Sequence, residues 1–438
     1  MKIYLIRWQI NGLDILTDRL IEKEPYYKKL YLRYSTIRLL ILSFYFTPDF
    51  CAGSFRTQAL LNAIKKNKLI KQAFIYTTLP QRYGHMAGVP KYEKLGNIII
   101  VRFYTPEHKN SFLGQFISYC YFATSALKHA YLNRKDYDCI FATSSRLGTG
   151  FLGYLVSKIT RKNLNLDVRD IFSDNIQSVQ FFKGFIGQIL VRIFSSIETR
   201  IICRAKWMNF VSHGFFTYPH IKKLEKKIHL FTNGIDEIFV KNRKAISQMA
   251  YTKVENRLIT ITYAGNIGFG QGLELIVLAL AIHYKNKINI QLIGDGSSVN
   301  LIKKGIVEKG INNIQLIPPV DRSKLLEYYN NTDMFLLHLN DIPAFKKVLP
   351  SKIFDYGSFD KPMLAGVQGV ANQFIKENFP DAFLFDPGDV ESVIKYIDGI
   401  IENGIHRIDS SKFVEKYSRN NIMNDMLNSI VSCHNEKD

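Results

Sequence analysis

The sequence lacks any uninterrupted apolar run of the roughly 20 residues that a membrane-spanning helix requires. Near its N-terminus it also lacks the apolar block of a secretory signal peptide. We therefore expect a protein that stays in the cytoplasm.

Patterns for metal binding and nucleophilic catalysis are missing as well. The five cysteines include no pair at zinc or redox spacing, the ten histidines form no His-Glu-x-x-His pattern, and no Gly-x-Ser-x-Gly elbow occurs. An Asp-x-Asp motif at 136–138 precedes its predicted strand, away from the sheet edge where ligands bind, and we interpret it as solvated. These absences argue against hydrolases and metalloenzymes, and we expect no metal ion and no cofactor.

Acidic residues are scarce in the first half of the chain. Residues 1–240 hold 35 Lys and Arg against 16 Asp and Glu, whereas residues 241–438 hold 23 against 22. A basic face attracts nucleic acid or an anionic membrane, and a solvated surface is the remaining explanation. The asymmetry is a signal about partners of the first half.

The chain does have a globular composition and enough length for two cores. Hydrophobic residues make up 47% of 438 residues, and single cores stop growing near roughly 250 to 300 residues. Short β-rich runs alternate with helical patterns, which is typical of parallel sheets covered on both faces. The predicted strands are 39–46, 73–76, 98–103, 139–142, 164–168, 208–211, 228–231, 259–263, 288–293, 314–316, 334–337, 362–365 and 383–385.

A polar stretch at 236–255 interrupts this rhythm and predicts a linker. We therefore expect an α/β fold of two Rossmann-like, doubly wound domains that face each other across a cleft. The predicted divisions are an N-terminal extension at 1–36, a first domain at 37–240, a second domain at 241–415 and a C-terminal helical segment at 416–438.

The sharpest motif is a glycine-rich loop that follows the predicted strand at 259–263 and leads into a helical pattern. Glycines let backbone amides approach a phosphate, and a helix N-terminus adds about half a positive charge, so a diphosphate fits here. No register has glycine at relative positions 1, 3 and 6, which argues against NAD; a plain βα turn is the alternative. The candidate residues are Gly265, Asn266, Gly268, Gln271 and Gly272.

Two further segments should border the same sheet edge. One is a second glycine loop after the strand at 288–293, made of Gly294, Asp295 and Gly296. The other begins at Ser351, which follows a proline and is typical of a helix N-cap. Lys352 and Asp355 lie three residues apart on that helix, so they should share a face and serve a diphosphate and a ribose diol. A surface ion pair is the alternative.

Together these motifs resemble glycosyltransferase family 4, which has the GT-B fold. The resemblance covers residues 37–430 and is nearest to the bacterial branch that builds O-antigen and capsule sugars, including N-acetylfucosamine transferases. The matching segments are Phe-Thr-Pro-Asp at 46–49, Gly-Ser-Phe-Arg at 53–56, Leu-Asp-Val-Arg-Asp at 166–170, Thr-Asn-Gly-Ile-Asp at 232–236, Gly-Asn-Ile-Gly at 265–268, Ile-Gly-Asp-Gly at 293–296 and Pro-Ser-Lys-Ile-Phe-Asp-Tyr at 350–356.

The resemblance implies that the second domain binds the donor. Asp355 stands where the family usually has a ribose-binding glutamate, the second of a Glu-x7-Glu pair, and Lys347 stands at the partner position. Asn266 and Gln271 stand where many relatives have arginine and lysine. The diphosphate charge would then fall on Lys352, which we also assign to catalysis, on the loop amides and on the helix terminus, without a metal ion.

In the first half the resemblance implies acceptor-side residues. Gly53 and Ser54 would approach the diphosphate and the transferred sugar through their backbone. Arg56 would face an acceptor phosphate, with a structural salt bridge as the alternative. Arg169 occupies the histidine position of a His-Asp pair at the reaction centre. Asp170 would be a catalytic, acceptor-side polar group, with a helix-capping role as the alternative.

Two aromatic-rich amphipathic stretches, at 112–131 and 181–202, mix apolar side chains with lysine or arginine. This pattern is typical of helices in a membrane interface, and buried core helices are the alternative. Basic residues near an anionic leaflet would hold the protein at its surface. We therefore expect a peripheral position on the inner membrane, with the cleft beside a lipid-linked acceptor.

The resemblance thus implies transfer of a sugar from a nucleotide diphosphate donor, a UDP-linked amino or deoxy sugar, to a lipid-linked saccharide, with retention of configuration. Two alternatives stay open. A GT-B sugar-nucleotide epimerase would use the same donor pocket without a membrane face. A non-enzymatic nucleic-acid-binding module would explain the charge of the first half, although we expect no nucleic acid as partner.

Overall fold

The computed structural model describes residues 36–436 except 50–51, 81–87, 108–111, 145–146, 172–184, 219–220, 222–227, 247–257 and 406–407. The predicted extension at 1–36, apart from its last residue, therefore lies outside the described residues, as does the start of the second amphipathic stretch. Within the described part, every helix is too short or too polar to cross a membrane.

The first half forms a sheet in the order β3-β4-β2-β1-β5-β6-β7-β8. Its strands are β1 (Ile37–Leu42), β2 (Ile70–Thr78), β3 (Tyr92–Leu95), β4 (Ile98–Phe103), β5 (Cys139–Ser144), β6 (Asn163–Val168), β7 (Trp207–Phe210) and β8 (Ile228–Leu230). The covering helices are α1 (Ala52–Lys66), α2 (Phe112–Leu132), α3 (Leu147–Thr160) and α4 (Phe185–Arg204). The strands pair in parallel, except that β3 is antiparallel to β4.

The second half forms a parallel sheet in the order β11-β10-β9-β12-β13-β14. Its strands are β9 (Ile259–Ala264), β10 (Ile288–Ile293), β11 (Ile314–Ile317), β12 (Met334–His338), β13 (Met363–Gly366) and β14 (Phe383–Phe385). The helices are α5 (Glu237–Ile246), α6 (Leu273–His283), α7 (Val299–Glu308), α8 (Arg322–Asn330), α9 (Lys352–Tyr356), α10 (Val370–Asn378), α11 (Val390–Asn403), α12 (Ser411–Lys416) and α13 (Arg419–Asn435).

The α/β architecture and every predicted strand are confirmed, because the inner strands are covered on both faces and carry near-continuous apolar runs. All six residues of β5 are buried, as are all five of β12. The prediction missed β3, which alternates exposed and half-buried residues at the edge of its sheet.

Each sheet has a point where the strand order reverses. In the first sheet β1 lies between β2 and β5, and in the second sheet β9 lies between β10 and β12. In open α/β sheets ligands bind in the crevice beyond the carboxyl ends of the strands at such a point. The loops after β9 and β12 are therefore the expected walls of a binding site.

The predicted linker at 236–255 is wrong in its first part. Residues 237–246 form α5, which is amphipathic and buries Phe239 against the core of the second sheet. At the other end of the second half, α13 packs against α1 and buries Met423, Met426 and Leu427 in a core shared with the first sheet. The indole N–H of Trp207 donates to the Ser429 hydroxyl over 2.9 Å, which fixes α13 to β7.

Candidate active site

A pocket of about 460 Å³ lies between the two halves, at the carboxyl ends of β9 and β12. The second half supplies most of its lining, and the first half contributes Asp170, which follows β6. The lining residues are Asp170, Asn266, Gly270, Gln271, Leu337, His338, Leu339, Phe345, Val348, Pro350, Ser351 and Lys352. The pocket thus occupies the reversal point of the second sheet.

The two glycine loops pack backbone against backbone beside this pocket. Gly265 and Gly294 have φ values of 133° and 144°, which an L side chain rarely adopts. A Cβ atom on Gly294 would lie 1.9 Å from the Gly265 carbonyl oxygen, and one on Gly296 would lie 2.4 Å from that of Ile267. The amide of Ile267 donates to the Asp295 carbonyl over 2.9 Å. Glycine is needed at 294 and 296 because any side chain there would clash with the backbone of the facing loop.

Several amides of the first loop are used within the protein, contrary to our prediction that they face a diphosphate. The Gln271 Oε1 accepts from the Gly268 amide over 3.1 Å and from Asn266 Nδ2 over 2.8 Å. The Ser297 hydroxyl accepts from the Phe269 amide over 3.3 Å. The loop is therefore internally braced, and the positive charge near it must come mainly from a side chain and from the N-terminus of α6, which starts after Gly272.

Lys352 supplies that side chain. A Cβ atom on Gly265 would lie 2.5 Å from Lys352 Cε, so the lysine stem passes directly over the bend of the first loop. Its ammonium lies 4.6 Å from the centre of the Tyr263 ring, a cation–π contact. Burial lowers the Lys352 pKa to about 8, although nearby Asp355 raises it. The ammonium is thus desolvated where an anion would reach it.

Of the predicted pair Lys352 and Asp355, only Lys352 lines the pocket. The helix α9 is only five residues long, and Asp355 turns away to accept a 3.0 Å hydrogen bond from Arg322 of α8. Its other oxygen, Oδ1, is buried without a hydrogen-bond partner among the described residues. Arg322 therefore engages one oxygen of Asp355, and the ribose contact assigned to this carboxylate stays a prediction. Ser351 does occupy the N-cap position, but its side chain makes no capping hydrogen bond.

The predicted acceptor-side role of Arg56 is also wrong, and the structural alternative describes it. Arg56 is 4% exposed and pairs with Asp167 through Nε and Nη2, over 2.8 and 2.9 Å. It also donates to the Thr232 carbonyl over 2.7 Å. Burial would raise the Asp167 pKa, but the charge and hydrogen bonds of Arg56 and a hydrogen bond from Asn209 lower it. The network ties α1 to β6 and to the segment that leaves β8.

The other predicted residues of the first half lie at two places. Gly53 and Ser54 are buried in the first turn of α1, where the Gly53 carbonyl accepts from the Thr57 hydroxyl over 3.1 Å. Arg169 and Asp170 follow β6, and Asp170 lies on the wall of the pocket opposite the second half. Asp138, from the Asp-x-Asp motif, pairs with Arg38 over 2.8 Å at the amino end of β5, so it is not merely solvated.

Several side-chain contacts join the two halves of the chain. The Ser212 hydroxyl donates to the Lys347 carbonyl over 2.5 Å, and the Lys347 ammonium lies 4.0 Å from the centre of the Tyr218 ring. The Arg322 guanidinium lies 4.4 Å from the centre of the Phe55 ring in α1. Lys347 therefore serves an interdomain contact.

Sequence reasoning missed His338, which ends β12 and lines the pocket with 1% exposure. The one available signal was a polar residue at the carboxyl end of an otherwise apolar predicted strand.

Known proteins resemble this one in the second half of the sequence and in the fold. Residues 247–420 match the model of the family described as glycosyl transferases group 1. The fold resembles that of Anabaena HepE, solved with UDP and glucose, with a TM-score of 0.61 and 16% identity over 90% of this chain and 99% of that one. Sucrose-phosphate synthase from Thermosynechococcus elongatus gives a TM-score of 0.65 and 13% identity over 90% and 98%.

The lipopolysaccharide outer core galactosyltransferase WaaB gives a TM-score of 0.55 and 12% identity over 90% and 99% of the two chains. No curated protein matches the chain in sequence. At these identities the structural neighbours establish the two-domain GT-B fold, and the family match covers the half that carries the glycine loops and Lys352. The protein is therefore a glycosyltransferase with the GT-B fold.

Proposed function

We propose that the protein transfers a sugar from a UDP-linked donor, an amino or deoxy sugar, to a lipid-linked saccharide in the synthesis of bacterial O-antigen or capsule. The observation that carries the donor half of this proposal is the Lys352 ammonium, held over the first glycine loop in the interdomain pocket. Neighbours solved with UDP or UDP-glucose on the same fold support the choice of nucleotide.

Transfer requires charge to build up on the departing diphosphate. Lys352 and the N-terminus of α6 are already oriented before the reaction, so they can stabilise that charge without reorganising, and we assign the step to them without a metal ion. Asp170, on the opposite wall, is the polar group that we assign to the acceptor side. We propose retention of configuration, on the ground of the family resemblance alone.

The lipid-linked acceptor is supported by the surface of the first half. The helix α2 buries Phe122, Ala126 and Ala130 and leaves Leu113, Phe116 and Tyr121 exposed, at 67%, 58% and 51%. The neighbouring helices α3 and α4 expose Phe151, Ile159, Ile189 and Ile193. Exposed lysine and arginine side chains lie on the same helices, at 128, 158, 192 and 200. Apolar and cationic groups exposed on the same helices suit an anionic membrane, so we propose a peripheral position on the cytoplasmic side of the inner membrane.

The donor site is tested by calorimetric titration with UDP. Lys352→Met keeps the stem over Tyr263 but removes the charge, and it should weaken UDP binding at least tenfold at pH 7, about the value of one charge-assisted hydrogen bond. Lys376→Met, at an exposed lysine of α10, should bind as the wild type does. Equal affinities of the two variants would refute the assignment.

The acceptor is tested by transfer of radiolabelled sugar to bacterial membrane extracts. We expect label in the lipid fraction. Formation of an epimer from the UDP-sugar in the absence of membranes would instead favour an epimerase, which the comparisons do not support.

A further inference from the structure

His338 is fixed between two loops of the second half. It is the last residue of β12, next to β9 at the reversal point of the sheet, and it is 1% exposed. A Cβ atom on Gly366 would lie 2.4 Å from its Cδ2, and the Phe385 ring stacks with a centroid distance of 6.0 Å. The imidazole is therefore closely packed on two sides.

Both ring nitrogens have backbone partners. The Gly388 amide lies 3.1 Å from Nε2, and the Gln271 carbonyl oxygen lies 2.6 Å from Nδ1. A backbone amide can only donate, so Nε2 accepts and the single proton of the neutral ring sits on Nδ1, which donates to Gln271. The ring thus joins the loop after β14 to the first glycine loop through one tautomer.

Gln271 passes this constraint to the rest of the loop. Its side-chain oxygen accepts from the Gly268 amide and from Asn266 Nδ2, and its backbone leads through Gly272, in the left-handed conformation, into α6. Holding the Gln271 carbonyl therefore orients both the brace inside the loop and the start of the helix. Burial favours the neutral ring by lowering the His338 pKa, against smaller raising effects of the Gln271 carbonyl and Glu274.

We propose that His338 is a positioning residue of the donor site, which holds the first glycine loop in the conformation that receives the diphosphate through its Nδ1–H bond to Gln271. This role rests on the proposed function. It goes beyond the resemblance, which assigned no role to this position. The proposed role depends on Nδ1 and not on Nε2.

The test uses three substitutions that separate the two nitrogens. His338→Asn keeps a donor near the Nδ1 position, His338→Gln keeps an acceptor near the Nε2 position, and His338→Phe keeps neither. Calorimetric titration with UDP should give an affinity within about threefold of wild type for the Asn variant and about tenfold weaker for Gln and Phe, since one hydrogen bond is worth about a factor of ten. His283→Asn, at an exposed histidine, is the control.

Equal weakening by Asn and Phe, or unchanged affinity in all three variants, would overturn the role while leaving the proposed function intact. Failure of the wild type to bind UDP, GDP, ADP and dTDP would instead refute the proposed function and this role together. The nitrogen chemical shifts of His338 in the unliganded wild type give a check that needs no variant to fold. The Nδ1-protonated tautomer supports the proposal, and the Nε2-protonated tautomer overturns it.

Discussion

The affinity for UDP should fall as the pH rises through about 8, because the Lys352 pKa lies there in the free protein. A diphosphate favours the charged lysine and so raises its pKa. Above about pH 8, the unbound protein must therefore take up a proton when UDP binds, which weakens the observed affinity. For a pKa of about 8, the charged fraction falls from about 90% at pH 7 to about 10% at pH 9, so the affinity should fall about tenfold over this range.

The assay is calorimetric titration with UDP at pH 7, 8 and 9 and constant ionic strength, because salt screens charge interactions. The matched control is Lys352→Arg, whose guanidinium stays charged throughout this range. This variant should therefore lack the part of the pH dependence that comes from titration of the lysine. Lys352→Met should bind weakly at every pH. The reasoning would be refuted if the UDP affinities of the wild type and the Arg variant changed equally with pH. Loss of the Lys352 proton would then have no effect on binding.

Three further predictions concern the network, the interdomain contact and stability. Arg56→Met leaves the Asp167 carboxylate buried without its charge partner and should lower the free energy of unfolding by about 3–5 kcal/mol in urea titrations. Arg56→Met combined with Asp167→Asn should recover part of this loss. A double-variant loss equal to the sum of the two single-variant losses would contradict the pairing. Gly214→Ala would place a Cβ atom 2.4 Å from the Lys347 carbonyl oxygen across the interdomain contact, so the sugar transfer rate should fall on the order of 100-fold, whereas Gly399→Ala, with nothing within 4 Å, should transfer at the wild-type rate. Because the Lys352 pKa is lowered in the folded state, the unfolded state binds more protons above about pH 8, so the lysine contribution to the free energy of unfolding should rise with pH there, and Lys352→Met should remove that rise in denaturant titrations.

The fold was predictable because the signals that specify it are local. Apolar runs such as β5 and β12 are buried on both faces, and the turns between them carry glycine, so periodicity located every inner strand. The edge strand β3 gave no such signal, since its residues are partly exposed and its stability comes from pairing with β4. The segment after β8 is polar on one face only, which hid α5 and its buried Phe239.

The candidate site was predictable as a set of loops but not as a set of side-chain directions. Gly265 and Gly294 mark the loops in sequence because their backbone conformations require glycine. The direction of Asp355 depends on Arg322, which arrives from another helix, and spacing along the chain contains no such information. The same applies to Arg56, whose partner Asp167 is 111 residues away.

The most direct test of the central claim is a crystal structure of the protein with UDP. We predict the diphosphate in the interdomain pocket, with Lys352 Nζ within hydrogen-bond distance of a phosphate oxygen and the N-terminus of α6 directed at it. A diphosphate bound elsewhere, or bound in the pocket with Lys352 still over Tyr263 and away from phosphate, would contradict the account.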